Sequence, residues 1–277
     1  MAYPGTYDLV LADPANNITL LVLNPVAPAD RAGLARRLLQ DPALGAEQVG
    51  FAVPPRLAAA EVYGRLEMMG GEFCGNAARS FGLYAAARAG IPGARRVFIE
   101  CSGADHPVPI RVDTGASWAE AEMPNPLAQD ALRFAGRALP VWVFPGITHV
   151  IAAGLIPSRE TFFAIKALLE QAAGPPEALG ILFLDILERA MIPCVYVYKT
   201  GTLVFESSCG SGSTALALHK TRDLADGEAA HRIRQPGGVI DVRVVKRAGA
   251  VESAAAGGPV RLRALVWTDP DPPSPGG

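Results

Sequence analysis

The feature that most constrains this chain is a turn that occurs twice. The first copy reads Gly70-Gly71-Glu72-Phe73-Cys74-Gly75-Asn76-Ala77-Ala78-Arg79. The second reads Phe205-Glu206-Ser207-Ser208-Cys209-Gly210-Ser211-Gly212-Ser213-Thr214-Ala215. In each, a Cys-Gly pair follows an acidic-aromatic cluster and opens an Ala-containing stretch. The cysteines lie 135 residues apart (209 − 74) in a chain of 277. Downstream, Ser102-Gly103 precedes a strand-like Val108–Val112, and Pro236-Gly237-Gly238 precedes Val239–Val245. Gly103 and Gly238 each fall 29 residues past their cysteine (103 − 74 and 238 − 209). A period of half the chain, far longer than a solenoid unit, points to two similar domains. Coincidence between two Gly-rich turns is the plain alternative, and the equal downstream spacing favours duplication.

The remaining pattern fits that division. Asp8–Ala12 and Ile18–Leu23 read as a hairpin around Asp13-Pro14-Ala15-Asn16-Asn17. Asp30–Leu39 has helical spacing, and Val49–Val53 reads as a strand. A helix is expected over Asn76–Gly90, with strands at Val97–Cys101, Val108–Val112 and Ala119–Met123. Pro124-Asn125-Pro126 marks the boundary, giving domains 1–125 and 126–277. Beyond it, strands are expected at Val141–Phe144, His149–Ala153, Ile181–Leu184, Cys194–Tyr198, Leu203–Phe205, Val239–Val245 and Val260–Trp267. Helices are expected at Ser158–Ala172, capped by Ser158, and at Ser213–Arg222. The last strand, about 260–268, has the option of packing back on the first domain, and 269–277 reads as a Pro-rich flexible tail. The fold class is α+β, several strands and a helix after each Cys-Gly.

Composition excludes several functions. The chain is half apolar with net charge −2 and no Lys/Arg run, so it has no footprint for nucleic acid or an anionic membrane. The apolar stretches are broken by Pro145, Gly146, His149 and Asp185, which argues against membrane spans. The start, Met1-Ala2-Tyr3-Pro4-Gly5, lacks a basic and apolar leader, so a cytoplasmic location is expected. Four cysteines without CxxC or Cys/His spacing argue against a disulfide framework or a metal site.

A helix N-terminus offers unpaired N–H groups and partial positive charge, enough to hold a carboxylate without Arg or Lys. Gly75, Gly210 and Gly212 let the backbone approach a ligand. The same field lowers a thiol pKa from about 8.5 into roughly 3.5–7.5 in known cases, so a cysteine there can act as a thiolate base near neutral pH. Two such ends facing one carboxylate would set a sulfur on each face of its α-carbon. One would remove the α-proton and the other return a proton, inverting the centre without a cofactor. Cys74 and Cys209 are therefore the candidate catalytic pair, while Cys101 and Cys194, in strand-like runs, read as small packing residues. A single Cys nucleophile with a His partner competes, but the paired contexts favour two-base chemistry.

At these residues the chain resembles the diaminopimelate epimerase family of cofactor-independent racemases and epimerases. Cys74-Gly75-Asn76-Ala77-Ala78-Arg79 resembles its first Cys-Gly-Asn-Gly-x-Arg motif, with Ala77 for a Gly, and Cys209-Gly210-Ser211-Gly212 resembles its second. Pro236-Gly237-Gly238 resembles its late Pro-Gly-Gly, and Asn17 falls where the family has an early substrate-binding Asn. The resemblance implies two pseudosymmetric domains, each a curved, barrel-like antiparallel-rich sheet around a central helix, with the site between them. The chain departs where the family reads the far end of diaminopimelate. Gly146-Ile147-Thr148-His149 lacks the Asn of Gly-Asn-Pro-His, and no Glu-Arg-Gly precedes Cys209. An unpartnered buried carboxylate would be costly.

The histidine racemase branch, which serves opine-type metallophore synthesis, is more similar. Glu47-Gln48-Val49-Gly50-Phe51, Gly71–Ala77, Glu206–Gly212 and Gln235-Pro236-Gly237-Gly238 carry that likeness. It implies L-histidine/D-histidine racemization without cofactor or metal, on a small amino-acid substrate, in a chain compatible with a homodimer. The implied substrate-binding set is Asn17, Glu47, Gly75, Asn76, His149, Glu206, Gly210 and Ser211. Glu47 and Glu206 are the candidates for the imidazole, with Glu72 third; each has a plain reading as a solvated carboxylate. His149 is read either as a substrate contact or as a hydrogen-bonded core histidine. The alternatives are a diaminopimelate epimerase or other racemase of this fold, a phenazine-biosynthesis-type isomerase, and a binding module that keeps the fold without the chemistry.

Overall fold

The computed structural model describes residues 5–57, 61–185, 190–199 and 201–270. They form a mixed α+β fold made mostly of strands, with four helices among the described residues. The chain divides into two compact units, one running to Ala121 and resuming at Pro259, the other Glu122–Gly258.

The first unit begins with β1 (Thr6–Asp13), β2 (Thr19–Val22), α1 (Pro28–Gln40), β3 (Gln48–Val53), β4 (Val62–Met68), α2 (Gly75–Arg88), β5 (Ala94–Cys101), β6 (Val108–Asp113) and β7 (Trp118–Met123). The second holds β8 (Ala128–Phe134), β9 (Arg137–Phe144), β10 (Ile147–Ala153), α3 (Arg159–Ala173), β11 (Ala178–Asp185), β12 (Ala190–Val197), β13 (Thr202–Phe205), α4 (Gly210–Thr221), β14 (Gly227–Gln235), β15 (Gly238–Arg247) and β16 (Ala250–Pro259). The chain then returns to the first unit as β17 (Arg261–Thr268), antiparallel to β1 with Thr6 opposite Thr268.

The expected hairpin forms, with Leu9 opposite Val22. Its turn puts Ala15 and Asn16 at positive φ, and the Asp13 carboxylate accepts the Asn16 amide at 2.7 Å. Asn and Asp tolerate this conformation because their short side chains bond the local backbone. The turn delivers Asn17 to the start of β2.

Where helices cross over, strands pair in parallel: β2 with β3 across α1, β4 with β5 across α2, and β10 with β11 across α3. Helix α2 is buried nearly all round, so Ala77, Ala78, Phe81 and Ala86 pack among Leu66, Ile99 and Ile110. Burying one such large side chain is worth about 1.5–3 kcal/mol. Helix α1 lays Leu34 and Leu38 on Leu20, Val49 and Phe51, while α3 lays Phe162, Ile165 and Leu169 on Ile181 and Phe183. Ser158 caps α3 as expected, its Oγ accepting the Thr161 amide at 3.0 Å. Helix α4 is closed at its other end by the buried Lys246, whose Nζ donates to the carbonyls of Thr221, Arg222 and Leu224. A cation there satisfies orphan carbonyls and opposes the helix dipole.

Four strands escape the sequence pattern: β4, β8, β14 and β16. At the first position of the expected tail, Asp269 is buried, holds Arg37 at 2.8 Å, and donates its amide to the Gly5 carbonyl. Residues 271–277 of that tail lie outside the described residues.

Candidate active site

Each Cys-Gly turn becomes the N-terminus of a buried helix. Cys74 is the N-cap of α2, with extended backbone (φ −124°, ψ 111°), and Cys209 is the N-cap of α4 in nearly the same conformation (φ −130°, ψ 115°). Helix α4 thus starts at Gly210, three residues before the start expected at Ser213. Gly210, Ser211 and Gly212 form its first turn, where amides lack helical acceptors.

In the first unit the structure gathers Asn17, Glu47, Gly75 and Asn76 around the start of α2. Asn76 Nδ2 donates to Asn17 Oδ1 at 3.1 Å, and Asn17 Nδ2 donates to Glu47 Oε2 at 2.6 Å. Arg79, 1% exposed, donates from Nε to Asn76 Oδ1 at 3.2 Å and from Nη1 to the Pro259 carbonyl. The Asn76 amide is thereby oriented from both sides. Gln48, missed in the sequence, is the second hub: its Nε2 donates to Asn17 Oδ1 at 2.9 Å and Thr19 Oγ1 at 2.8 Å. Only its place in the Glu47-Gln48-Val49-Gly50-Phe51 stretch marked it. Glu47 itself is exposed, Asn17 is buried and Cys74 is half-buried.

In the second unit the structure gathers His149, Glu206, Cys209, Gly210 and Ser211. Ser211 Oγ lies 3.5 Å from Cys209 Sγ and 2.9 Å from His149 Nε2. His149 is fully buried, and burial pushes its pKa down to about 3 although the Gly180 backbone opposes the shift. It is a neutral, hydrogen-bonded core residue that reaches the turn through Ser211. Gly212 makes room at the helix start: a β-carbon there would stand 2.7 Å from Leu182 Cδ2 and 3.4 Å from Cys209 Sγ.

One detail recurs. The residue 28 positions past each cysteine (102 − 74, 237 − 209) binds the carbonyl two residues before it. Ser102 Oγ donates to the Glu72 carbonyl at 2.9 Å, and the Gly237 amide donates to the Ser207 carbonyl at 2.8 Å. Gly103, at φ +72°, lies so close that a β-carbon would come within 2.3 Å of the Phe73 nitrogen. Only glycine accepts both the dihedral and the approach.

The electrostatics correct one expectation. Cys209 is not a thiol depressed by its helix end; its pKa is held well above the ordinary value. Burial is the largest cause and the Glu206 carboxylate the second, while the Ser211 hydroxyl and the Gly212 amide pull the other way. A helix end carries only about half a charge, too little to offset full desolvation beside a carboxylate. Cys101 and Cys194 are buried, and burial first of all pushes both thiols up to about 12. All four cysteines are reduced thiols. Among the described residues no group of three or more His, Cys, Asp or Glu side chains is placed to hold a metal, and no helix is long and apolar enough to cross a membrane.

This fold recurs among solved structures. A hydroxyproline epimerase from Agrobacterium vitis, with bound trans-4-hydroxy-L-proline, is 16% identical with a TM-score of 0.60, covering 98% of this chain and 95% of that one. A PhzF-family phenazine biosynthesis protein from Bacillus anthracis is 14% identical with a TM-score of 0.65, covering 95% and 99%. The fold is therefore that of the racemase, epimerase and PhzF class, and the expected diaminopimelate epimerase likeness holds only at that breadth. The family model described as the histidine racemase CntK N-terminal domain matches residues 7–265. A histidine racemase of Fusobacterium nucleatum subsp. nucleatum is 33% identical over 245 residues, 84% of this chain and 87% of that protein. A histidine racemase of Staphylococcus aureus is 23% identical over 239 residues, 82% and 85%. The chain belongs to the histidine racemase family and is an isomerase.

Proposed function

We propose that the protein interconverts L- and D-histidine by two-base proton transfer through Cys74 and Cys209, without cofactor or metal. The observation that carries this reading is the pair of cysteine thiols, each the N-cap of a buried helix, in a chain of this family. The recurrent carbonyl contacts 28 residues downstream support a further reading, that the two units are duplicated, pseudosymmetric domains. Helix-end amides are suited to the substrate carboxylate and to the enediolate-like charge that develops on deprotonation. Racemization needs one thiolate and one thiol at the start of each turnover. Burial and Glu206 favour the protonated form of Cys209, which suits it as the proton donor in the direction that Cys74 opens by abstraction; in the reverse direction the two sulfurs exchange roles. Asn17, Asn76, Gly75, Gly210 and Ser211 are the proposed substrate contacts around the two turns, and Glu47 and Glu206 the proposed acceptors for the imidazole. On this reading the protein works in the cytoplasm, where the D-histidine product would serve metallophore assembly.

A substrate panel tests the reading. Initial racemization rates are measured for common L-amino acids and diaminopimelate, on the unaltered protein and on Glu47→Gln and Glu206→Gln. Sites that read a polar group reject analogues lacking it by up to about 10⁴-fold. Histidine should exceed alanine, leucine and diaminopimelate, and at least one Gln variant should lose histidine turnover while remaining folded. Diaminopimelate as the best substrate would overturn the assignment; full histidine turnover in both variants would overturn the carboxylate roles alone.

A further inference from the structure

We propose that Gln235 is a positioning residue for the Cys209 sulfur, gripping the backbone of Cys209 at both its amide and its carbonyl. Gln235 closes β14, lies opposite Gly238, and is 7% exposed. Its Oε1 accepts the Cys209 amide at 2.8 Å. Its Nε2 donates to Ser213 Oγ at 2.9 Å, and Ser213 Oγ donates in turn to the Cys209 carbonyl at 2.7 Å. The three hydrogen bonds form a closed ring around one residue. The amide contact restrains φ of Cys209 and the carbonyl contact restrains ψ, so together they set the direction of the Cα–Cβ bond and of Sγ. The following residues add a third hold, because the Gly237 amide binds the Ser207 carbonyl.

An N-cap residue needs this more than a residue inside a helix. Its carbonyl accepts the first helical bond, here from the Ser213 amide at 3.0 Å, but its own amide has no helical acceptor, so that side is held only by what lies outside the helix. Both ends of the Gln235 amide are engaged by the protein, which separates its role from substrate binding. Cys74 is held differently: its amide faces the sulfur of Cys101, a weak acceptor. A change at Gln235 should therefore reach Cys209 and leave Cys74 alone, and the second thiol serves as an internal control in the same molecule.

The inference rests on the reading of Cys209 as a proton-transfer group. The test uses Gln235→Met, which keeps side-chain length and removes both polar atoms, and Ser213→Ala, which opens the ring at its other side. Three quantities are read on the full chain: kcat and KM for histidine, the pH profile of iodoacetamide alkylation at Cys74 and Cys209 by peptide mapping, and the melting temperature. A displacement of about 1 Å at a reacting atom costs about 10²-fold, so kcat in Gln235→Met should fall by about that factor with KM little changed. The alkylation profile should move at Cys209 and stay fixed at Cys74. Ser213→Ala should shift the same readouts less, and the double variant should match Gln235→Met because both act through one ring. If Gln235→Met does not fold, Ser213→Ala alone carries the test. Unchanged kcat and Cys209 alkylation would overturn the inference, as would equal shifts at both thiols accompanied by a lower melting temperature. A Cys209→Ser control separates the failures: if that variant racemizes histidine normally, the two-thiol reading fails, and if it is inactive while the Gln235 and Ser213 variants are normal, only the positioning role fails.

Discussion

Cys209 sits between opposing neighbours. Glu206, three residues earlier, favours the thiol, while the Ser211 hydroxyl and the Gly212 amide favour the thiolate. Burial is the largest cause of the raised Cys209 pKa and the Glu206 charge the second. Glu206→Gln removes that charge, so the Cys209 pKa should fall and its alkylation profile should move to lower pH. The same substitution should lower histidine turnover if Glu206 also receives the imidazole. Alkylation kinetics followed from pH 6 to 10 check the first outcome; a profile fixed in place would show that burial alone holds the thiol. His149 adds no ionisation near neutrality, because its depressed pKa of about 3 leaves it uncharged there.

At the scale of elements, α4 is the piece on which the account leans. Its first turn contains two glycines, a composition that gives little helical signal, and the expected start fell three residues late for that reason. Gly212 is there for space. Gly212→Ala should press on Leu182 and on the Cys209 sulfur, costing about 1–3 kcal/mol and lowering kcat beyond any loss of folded protein. Ser158→Ala at the α3 cap should cost about 1 kcal/mol and leave kcat unchanged. Denaturation and turnover measured together separate the two cases, and equal kcat in both would remove Gly212 from the site.

The legible elements were those with one apolar face or a strong cap, such as α1, α3, β3 and β6. The strands that escaped lack that contrast. β14 carries mostly exposed charged and polar residues, and β16 is mostly Ala and Gly, with Ala254–Gly258 buried by neighbours rather than by propensity. The site was half legible. The Cys-Gly turns announced themselves because they repeat, whereas Gln48, Ser102 and Gln235, though inside stretches the sequence singled out, act through contacts 26 to 31 residues from their own position, which no local pattern reveals.

Across the whole molecule, the chain comprises two compact units, each bearing a cysteine-capped, buried helix, within a family of histidine racemases. The central claim is that both cysteines serve one reaction. The direct measurement is histidine racemization in deuterium oxide, without added cofactor and with a chelator present, by the unaltered protein, Cys74→Ser and Cys209→Ser. A serine hydroxyl is a far weaker acid and base than a thiol, and loss of one acid/base group costs about 10²–10⁴-fold. The account predicts rapid racemization with deuterium entering at the α-carbon for the unaltered protein, and near abolition in each serine variant. Racemization at the unaltered rate by either variant, or dependence on an added cofactor, would contradict it.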